Sequence, residues 1–179
     1  MPPLVEKALA LAKRSGFTRS CSVETGRLLQ VLAGARGLER AAEIGTGTAV
    51  GSAWILSALD PEVAFVTVEL DGERARAAAG LLAEDEAARV LHGDWREVLP
   101  PEAPFDLLFA DGGGQLTKSD ESLLGLLAPG GILVLDDLTP GYADPDPVRE
   151  LWLGHRRLVA TELQVSAHEA VIVGTLQPR

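Results

Sequence analysis

The sequence is poor in cysteine and in aromatic side chains. Its 179 residues include one Cys, four Phe, three Trp and one Tyr. The lone thiol, Cys21, excludes an intrachain disulfide and a cysteine-based zinc site, so we expect it to fill a small apolar space. With so few aromatics, the core must consist of Leu, Val, Ala and Ile, a composition that suits a parallel sheet covered by helices.

Basic residues are also scarce. The chain has 16 Lys and Arg against 26 Asp and Glu, a net charge of −10. The basic residues are scattered, which argues against a nucleic-acid partner. No apolar run approaches the roughly 18 residues of a membrane span, and the charged N-terminus lacks a signal-peptide core. We therefore expect a cytoplasmic protein that binds neither nucleic acid nor a membrane.

The length predicts one domain, residues 1–179, with N-terminal helices over 1–37 and an α/β core over 38–179. The two N-terminal helices are predicted at 4–14 and 23–36, with Ser22 as N-cap of the second and Gly37 at its end.

Apolar runs then alternate with helical patterns along the core. Strands are predicted at 41–44, 64–69, 88–92, 105–110 and 131–136. Helices are predicted at 51–59, 73–83 and 119–127, the last closed by Pro129-Gly130-Gly131. This alternation is typical of a doubly wound, mostly parallel sheet.

The C-terminal part departs from that alternation. Residues 138–147 are rich in turn formers and predict a surface loop. Asp146 and Pro147 predict the start of a helix that reaches about Leu153. The strand-like runs 158–165 and 169–176 are too close for a helical crossover, so we expect an antiparallel hairpin at the end of the sheet.

The segment AEIGTGTAVG, residues 42–51, lies at the first strand-to-helix junction. Its glycines allow the backbone to approach a ligand beside the free N–H groups of a helix. A tight turn that binds no ligand would have the same sequence pattern. Glu43 just before the turn would repel a pyrophosphate and suits a cation. Glu69 ends the next strand, where it can meet a ribose hydroxyl pair. Together these residues indicate a positively charged nucleoside.

Five segments in this order resemble the motifs of class I S-adenosylmethionine (SAM)-dependent methyltransferases, in particular the metal-dependent O-methyltransferases that include the catechol and caffeoyl-CoA enzymes. The segments are EIGTGTAVGSAW, VTVELD, LHGDWREVLP, FDLLFADGGG and GGILVLDDLTPG. The resemblance covers residues 24–176. It implies a Rossmann-like methyltransferase sheet with SAM at the carboxyl ends of its strands.

The resemblance also implies which residues bind SAM, from the methionine part through the ribose to the adenine. They are Glu43, Gly45, Thr46, Gly47, Glu69, Leu70, Asp94, Trp95 and Asp111. Two of them have structural alternatives, since Asp94 can be a helix N-cap and Trp95 a core residue. The family often has a third glycine where this chain has Ala49, and we expect Gly51 to supply that close packing.

Asp111 follows the fourth strand, and Asp136 and Asp137 follow the fifth. Three close carboxylates need a cation, a shared proton or separation by solvent. The resemblance implies a divalent ion at these positions, Mg²⁺ or else Mn²⁺ or Ca²⁺, with Asp137 in place of the usual Asn. Alternatively, Asp111 only touches SAM while Asp136 and Asp137 cap the following turn.

Metal-dependent members commonly have a lysine three residues after the Asp111 position, where this chain has Gly114. The catalytic candidates are therefore Asp111 and Lys118, although a residue like Lys118 is more commonly a solvated surface side chain. The three histidines, His92, His155 and His168, show no metal-ligand spacing and are expected to be structural.

The sequence thus predicts a SAM-dependent methyltransferase that acts on a small-molecule hydroxyl with help from a divalent metal. A non-catalytic SAM-binding module is an alternative, because the lysine is missing. A nicotinamide-dependent oxidoreductase is disfavoured by Glu43 and by the glycine spacing. The apolar N-terminal helices, together with the dimers common among the resembled proteins, predict a homodimer.

Overall fold

The structure, a computed structural model, describes residues 1–141 and 145–178, so residues 142–144 of the predicted loop lie outside it. Seven strands form the sheet: β1 (Arg40–Ile44), β2 (Ala64–Glu69), β3 (Ala88–His92), β4 (Phe105–Ala110), β5 (Leu127–Leu138), β6 (Leu158–Gln164) and β7 (Ala170–Leu176). Their order is β3-β2-β1-β4-β5-β7-β6, and β7 runs antiparallel to both its neighbours. The predicted α/β class, parallel core and C-terminal hairpin are confirmed.

The described helices are α1 (Pro3–Ser15), α2 (Val23–Ala33), α3 (Val50–Leu56), α4 (Gly72–Leu82), α5 (Trp95–Val98), α6 (Gly114–Lys118) and α7 (Pro147–Leu153). Two predicted caps are confirmed: Ser22 Oγ accepts the Thr25 N–H at 3.1 Å, and Asp146 Oδ1 accepts the Val148 N–H at 2.9 Å. None of the described helices has the length and apolarity needed to cross a membrane.

Two helix predictions were wrong. Helix α2 ends at Ala33 instead of residue 36, because Gly34 already caps it and donates its N–H to the Gln30 carbonyl. In place of one helix over 119–127, the chain forms α6 and then a 3₁₀ turn at Glu121–Leu126. The Pro129-Gly130-Gly131 segment lies inside β5. The pairing of β5 with β4 shifts its register between Phe105 and Leu107, and this shift accommodates the irregular start of β5.

Apolar side chains cover both faces of the sheet. Along β4, Leu107 and Phe109 face the cluster that includes α1, α2 and α3, whereas Leu108 and Ala110 face the opposite cluster. This alternation follows from the two-residue period of a strand. Helix α2 packs closely on α3, since a Cβ on Gly26 would lie 2.2 Å from Trp54 Nε1. Much of the apolar surface of the N-terminal helices is therefore buried within this chain.

Candidate functional site

A cavity of about 450 Å³ opens at the carboxyl ends of the parallel strands. Because β1, β2, β3, β4 and β5 all point the same way, the residues that follow them meet at this edge. The predicted site residues that line the cavity are Gly45, Gly47, Glu69, Leu70, Asp94, Trp95, Asp111 and Asp137. The sheet topology thus brings most of the predicted site together.

The glycine-rich turn after β1 is fixed by backbone bonds to its neighbours. The N–H groups of Gly45 and Thr46 both donate to the Val68 carbonyl of β2, at 2.9 and 3.1 Å. On the other side, the N–H groups of Asp111 and Gly112 donate to the Ile44 carbonyl, at 3.0 and 2.7 Å. The turn is therefore held between β2 and the end of β4.

Ala49 and Gly51 meet the backbone and packing requirements of the turn that the family's third glycine often meets. Ala49, at the start of α3, adopts the left-handed conformation with φ 66°. Gly51 packs on the acid that ends the first motif, since a Cβ there would lie 2.2 Å from Glu43 Oε1. The expectation that Gly51 supplies close packing is confirmed.

Glu43 and Thr46 lie behind the cavity wall. The Glu43 carboxylate is buried and accepts hydrogen bonds from Ser52 and, at 2.8 Å, from the Thr67 hydroxyl. Thr46 Oγ1 lies 2.6 Å from the same Thr67 hydroxyl oxygen. Burial raises the pKa of Glu43 to about 7, although the two hydroxyl donors lower it. The hydrogen bonds among these side chains support the glycine turn from the side away from the cavity.

Glu69 is buried at the end of β2 with its carboxylate in the cavity wall. Its Oε2 accepts the Gly47 N–H at 2.8 Å, while Oε1 accepts the Asp71 N–H at 2.9 Å and Arg74 Nη2 at 3.0 Å. These three bonds use three of the roughly four lone-pair positions of a carboxylate. The acid therefore ties the glycine turn to the start of α4.

Sequence reasoning missed one side of the cavity, formed by Phe17, Arg19 and Arg74. The guanidinium carbons of Arg19 and Arg74 each lie 5.7 Å from the Phe17 ring centroid. Phe17 belongs to the connection between α1 and α2 and packs against Gly47, where a Cβ would be 2.9 Å from its ring. Local sequence gives no signal for this contact, because it depends on how the N-terminal helices fold back.

At the β3 end, the structural alternatives for Asp94 and Trp95 are confirmed, and both residues also line the cavity. Asp94 caps α5 through its Oδ1, which accepts the Arg96 N–H at 2.9 Å, and it also lines the cavity. Trp95 belongs to the core cluster and lines the cavity too, with its indole N–H 3.3 Å from the Thr117 hydroxyl. The two residues are structural, and they are also available to a ligand.

The three carboxylates predicted to bind a metal lie together. One oxygen each from Asp111, Asp136 and Asp137 can be chosen so that all three lie within 4.8 Å of one another. Asp136 Oδ1 accepts the Thr25 hydroxyl at 3.3 Å, whereas its Oδ2 is buried without a hydrogen-bond partner among the described residues. A buried oxygen without a partner is costly, so this atom is suited to a proton or a cation.

We call Asp111, Asp136 and Asp137 the carboxylate cluster. The electrostatics of this cluster also favour a cation. Burial, followed by the neighbouring Asp136 and Asp137, raises the pKa of Asp111 to about 8. Burial is likewise the main cause that raises the pKa of Asp136 to about 7. Burying Asp136 and partly burying Asp111, beside the exposed Asp137, costs free energy that a divalent ion with oxygen ligands would offset.

Lys118 is buried, so the expectation of a solvated surface lysine was wrong. It is 5% exposed, and its Nζ lies 3.3 Å from Asp137 Oδ2. The Trp152 indole N–H donates to the Lys118 carbonyl and fixes the end of α6. Helical geometry then turns Leu116 outward, with 83% of its surface exposed, and Lys118 toward the carboxylate cluster.

Comparisons with known proteins agree with this geometry. A family model described as a methyltransferase domain matches residues 42–138. A "Probable O-methyltransferase" of Mycobacterium tuberculosis is 32% identical over 130 residues, which cover 68% of this chain and 58% of that protein. A relative from Mycobacteroides abscessus, also provisionally named an O-methyltransferase, is 31% identical over 131 residues, covering 68% and 60%. The chain thus spans about three-fifths of the length of these curated relatives.

Solved structures share the fold. The O-methyltransferase TomG from Streptomyces achromogenes, in complex with SAM, superposes with a TM-score of 0.81 at 26% identity, covering 99% of this chain and 91% of that one. An O-methyltransferase from Bacillus cereus, in complex with SAH, gives 0.83 at 23% identity, with coverage of 97% and 90%. At the lower identity the likeness concerns the fold alone.

Proposed function

This chain belongs to the methyltransferase domain family, and on that premise we propose that its cavity binds SAM and that the protein transfers the methyl group to an oxygen of a small molecule. The observation that carries the proposal is the joint position of Glu69 and Asp111 in one cavity. Glu69 provides the acid for a ribose, and Asp111 belongs to the carboxylate cluster, so a cofactor and an acceptor can meet in one space.

For the cofactor, we assign the ribose to Glu69, the adenine to Leu70, Asp94 and Trp95, and the methionine part to the glycine turn and Asp111. Glu69 already accepts three hydrogen bonds. Two ribose hydroxyls need two lone-pair positions, and only about one is free. Binding of both hydroxyls would therefore replace one existing bond, which we assign to the Arg74 side chain. Asp111 and Asp137 in the cavity wall favour the cationic sulfonium of SAM over an anionic group beside them.

For the acceptor, we assign Asp111 to accepting the hydroxyl proton on its carboxylate, and the Lys118 ammonium to holding the acceptor oxygen. The acceptor oxygen forms a bond to the methyl carbon while the carbon–sulfur bond breaks, and S-adenosylhomocysteine leaves. Such an in-line displacement depends mainly on the relative position of the two reactants. The cavity at the strand ends supplies that position.

The carboxylate cluster fits a divalent metal, because it offers oxygen ligands and one buried oxygen, Asp136 Oδ2, lacks a partner among the described residues. We propose that Asp111, Asp136 and Asp137 hold a Mg²⁺-like ion. When bound, such an ion lowers the pKa of a hydroxyl and orients its oxygen.

The test is turnover of SAM with a panel of hydroxylated acceptors, with Mg²⁺ or with EDTA. We expect methylated product and S-adenosylhomocysteine from the parent protein with Mg²⁺. Asp136→Asn should remove the metal-stimulated rate while SAM affinity stays within about twofold, and Glu84→Gln, on the exposed surface, should change neither. Activity that is unaffected by EDTA and by Asp136→Asn would contradict the metal assignment.

A second candidate function is a SAM-binding module without catalysis. It is favoured by Gly114, which stands where the resembled metal-dependent enzymes commonly have a lysine. Calorimetry that detects SAM binding, together with an acceptor panel that gives no product under any condition, would favour this alternative over the methyltransferase.

We further propose a homodimer. Support comes from apolar side chains that remain exposed on α2 and on the edge strand β6, namely Val31, Val159 and Leu163. Light scattering after size-exclusion chromatography should give twice the chain mass of 18.9 kDa. A mass equal to that of one chain at micromolar concentration would contradict it.

A further inference from the structure

We infer that Lys118 is the resident cation of the carboxylate cluster, and that a divalent ion enters the cluster only by displacing the Lys118 ammonium from Asp137. Lys118 would then set the metal affinity of the site. The inference rests on the proposed function, because that proposal supplies the metal.

The first support is the position of the ammonium. Lys118 Nζ lies 3.3 Å from Asp137 Oδ2 and the side chain is buried. Within the described residues, this is the one ion pair made by any member of the cluster. Asp111 and Asp136 have no salt bridge in that part of the chain.

The second support is the charge that Lys118 leaves uncompensated. Three carboxylates face one ammonium, and the buried Asp136 Oδ2 has no hydrogen-bond partner among the described residues. The cluster therefore attracts further positive charge. A divalent ion that uses an Asp137 oxygen must approach the ammonium to within a few ångströms, where two like charges repel strongly. The ammonium has to leave for the ion to bind well.

The third support is the placement of Lys118 on α6. Lys118 is the last residue of α6, and the Trp152 indole N–H donates to its carbonyl. Its ammonium stands at the end of a long, flexible side chain. The ammonium can therefore leave Asp137 while the backbone of α6 stays in place.

The substitution Lys118→Met isolates this charge. Methionine keeps an unbranched, flexible side chain in a buried position. The Trp152 bond goes to the main-chain carbonyl of Lys118, so the variant retains it. Lys7→Met is the matched control, because Lys7 pairs with Glu84 at 3.6 Å on the exposed surface. Both variants lose one positive charge, but only Lys118→Met loses it at the cluster.

The experiment titrates the SAM-free parent protein and its variants with Mn²⁺ and measures unbound Mn²⁺ by electron paramagnetic resonance. Lys118→Met should bind Mn²⁺ at least about tenfold more tightly than the parent, and Lys7→Met should bind like the parent. In an Asp137→Asn background, where the ion pair is already absent, Lys118→Met should change the affinity by less than about threefold.

Equal or weaker Mn²⁺ binding by Lys118→Met would overturn the inference and leave the proposed metal site intact. Absence of Mn²⁺ binding in every variant would overturn both. Binding by Lys118→Met but not by the parent would support Lys118 as the resident cation and contradict the proposed metal site of the parent protein.

Discussion

Gly45 and Gly112 meet backbone to backbone where β1 and β4 end. A Cβ on Gly45 would lie 2.3 Å from the Gly112 Cα, and a Cβ on Gly112 would lie 2.5 Å from the Gly45 Cα. The Ile44 carbonyl accepts N–H groups from both Asp111 and Gly112, which fixes this approach. The contact brings the glycine turn directly against the loop that carries Asp111.

Gly45→Ala should therefore disrupt both the fold and the cavity. Gly45 has φ +93°, and the clashing atoms are backbone, which cannot rotate away. We expect a loss of more than about 2 kcal/mol in the free energy of unfolding. Gly114→Ala is the control, because Gly114 also has positive φ (+57°) but its Cβ would meet no described atom within 4 Å. It should cost only about 1–2 kcal/mol, and equal losses in urea unfolding would refute the tight contact.

Glu69→Ala should weaken SAM binding. The variant loses an acid that we assign to the ribose hydroxyls, and also the acceptor that holds Gly47 and Arg74. Two charge-assisted hydrogen bonds correspond to about 2–4 kcal/mol of binding free energy. Glu73→Ala, which removes an exposed acid from the first turn of the nearby helix α4, is the control and should bind normally. A SAM affinity within twofold of the parent, measured by calorimetry, would disprove the ribose assignment.

Strands were predicted more accurately than helix ends. The bounds of β2, β3 and β4 match their predictions. For β2 and β4 the reason is that central strands of a parallel sheet are buried on both faces and form continuous apolar segments. The end of α2 was misplaced because two glycines, Gly34 and Gly37, could each stop the helix. Tertiary contacts decide between them, and a local pattern does not record those contacts.

The site residues also differ in how well the sequence predicts their positions. Gly45, Glu69 and Asp111 follow strands, so the order of the strands places them at one edge. Phe17 and Arg74 reach the cavity through the folding of α1, α2 and α4. Lys118 reaches Asp137 from the end of α6, which the Trp152 bond holds. Residues placed by strand ends are readable from sequence, whereas residues placed by packing of helices and loops are not.

Glu43 should make stability depend on pH. Its pKa rises from 4.5 to about 7 in the folded protein because it is buried. The folded state therefore holds a proton that the unfolded state releases between these values. The contribution of Glu43 to the free energy of unfolding is fully present below pH 4.5. It is lost as the pH rises to about 7, by up to about 3 kcal/mol.

Glu43→Gln cannot lose that proton, so its unfolding free energy should fall less steeply over the same pH interval. Asp136 keeps its contribution in both proteins. The charge of Glu43 helps to raise the pKa of Asp111, so the difference between the two curves reports Glu43 together with its effect on Asp111. Urea unfolding without divalent ions measures both curves. Parallel curves between pH 4.5 and about 7 would show that Glu43 is ionised normally.

Asp137 should tolerate asparagine better than alanine. It adopts φ 59°, in the left-handed region where Asn and Asp are favoured over other residues with a Cβ. Asp137→Asn and Asp137→Ala both remove the ion pair with Lys118, so that loss cancels when the two variants are compared. The remaining difference is the backbone preference, and we expect Asp137→Ala to be less stable than Asp137→Asn by about 1 kcal/mol in urea unfolding with EDTA. Equal stabilities would mean that residue 137 relaxes out of the left-handed conformation. That conformation points the Asp137 carboxylate at both Lys118 and the other two acids, so its loss would also separate the carboxylate cluster.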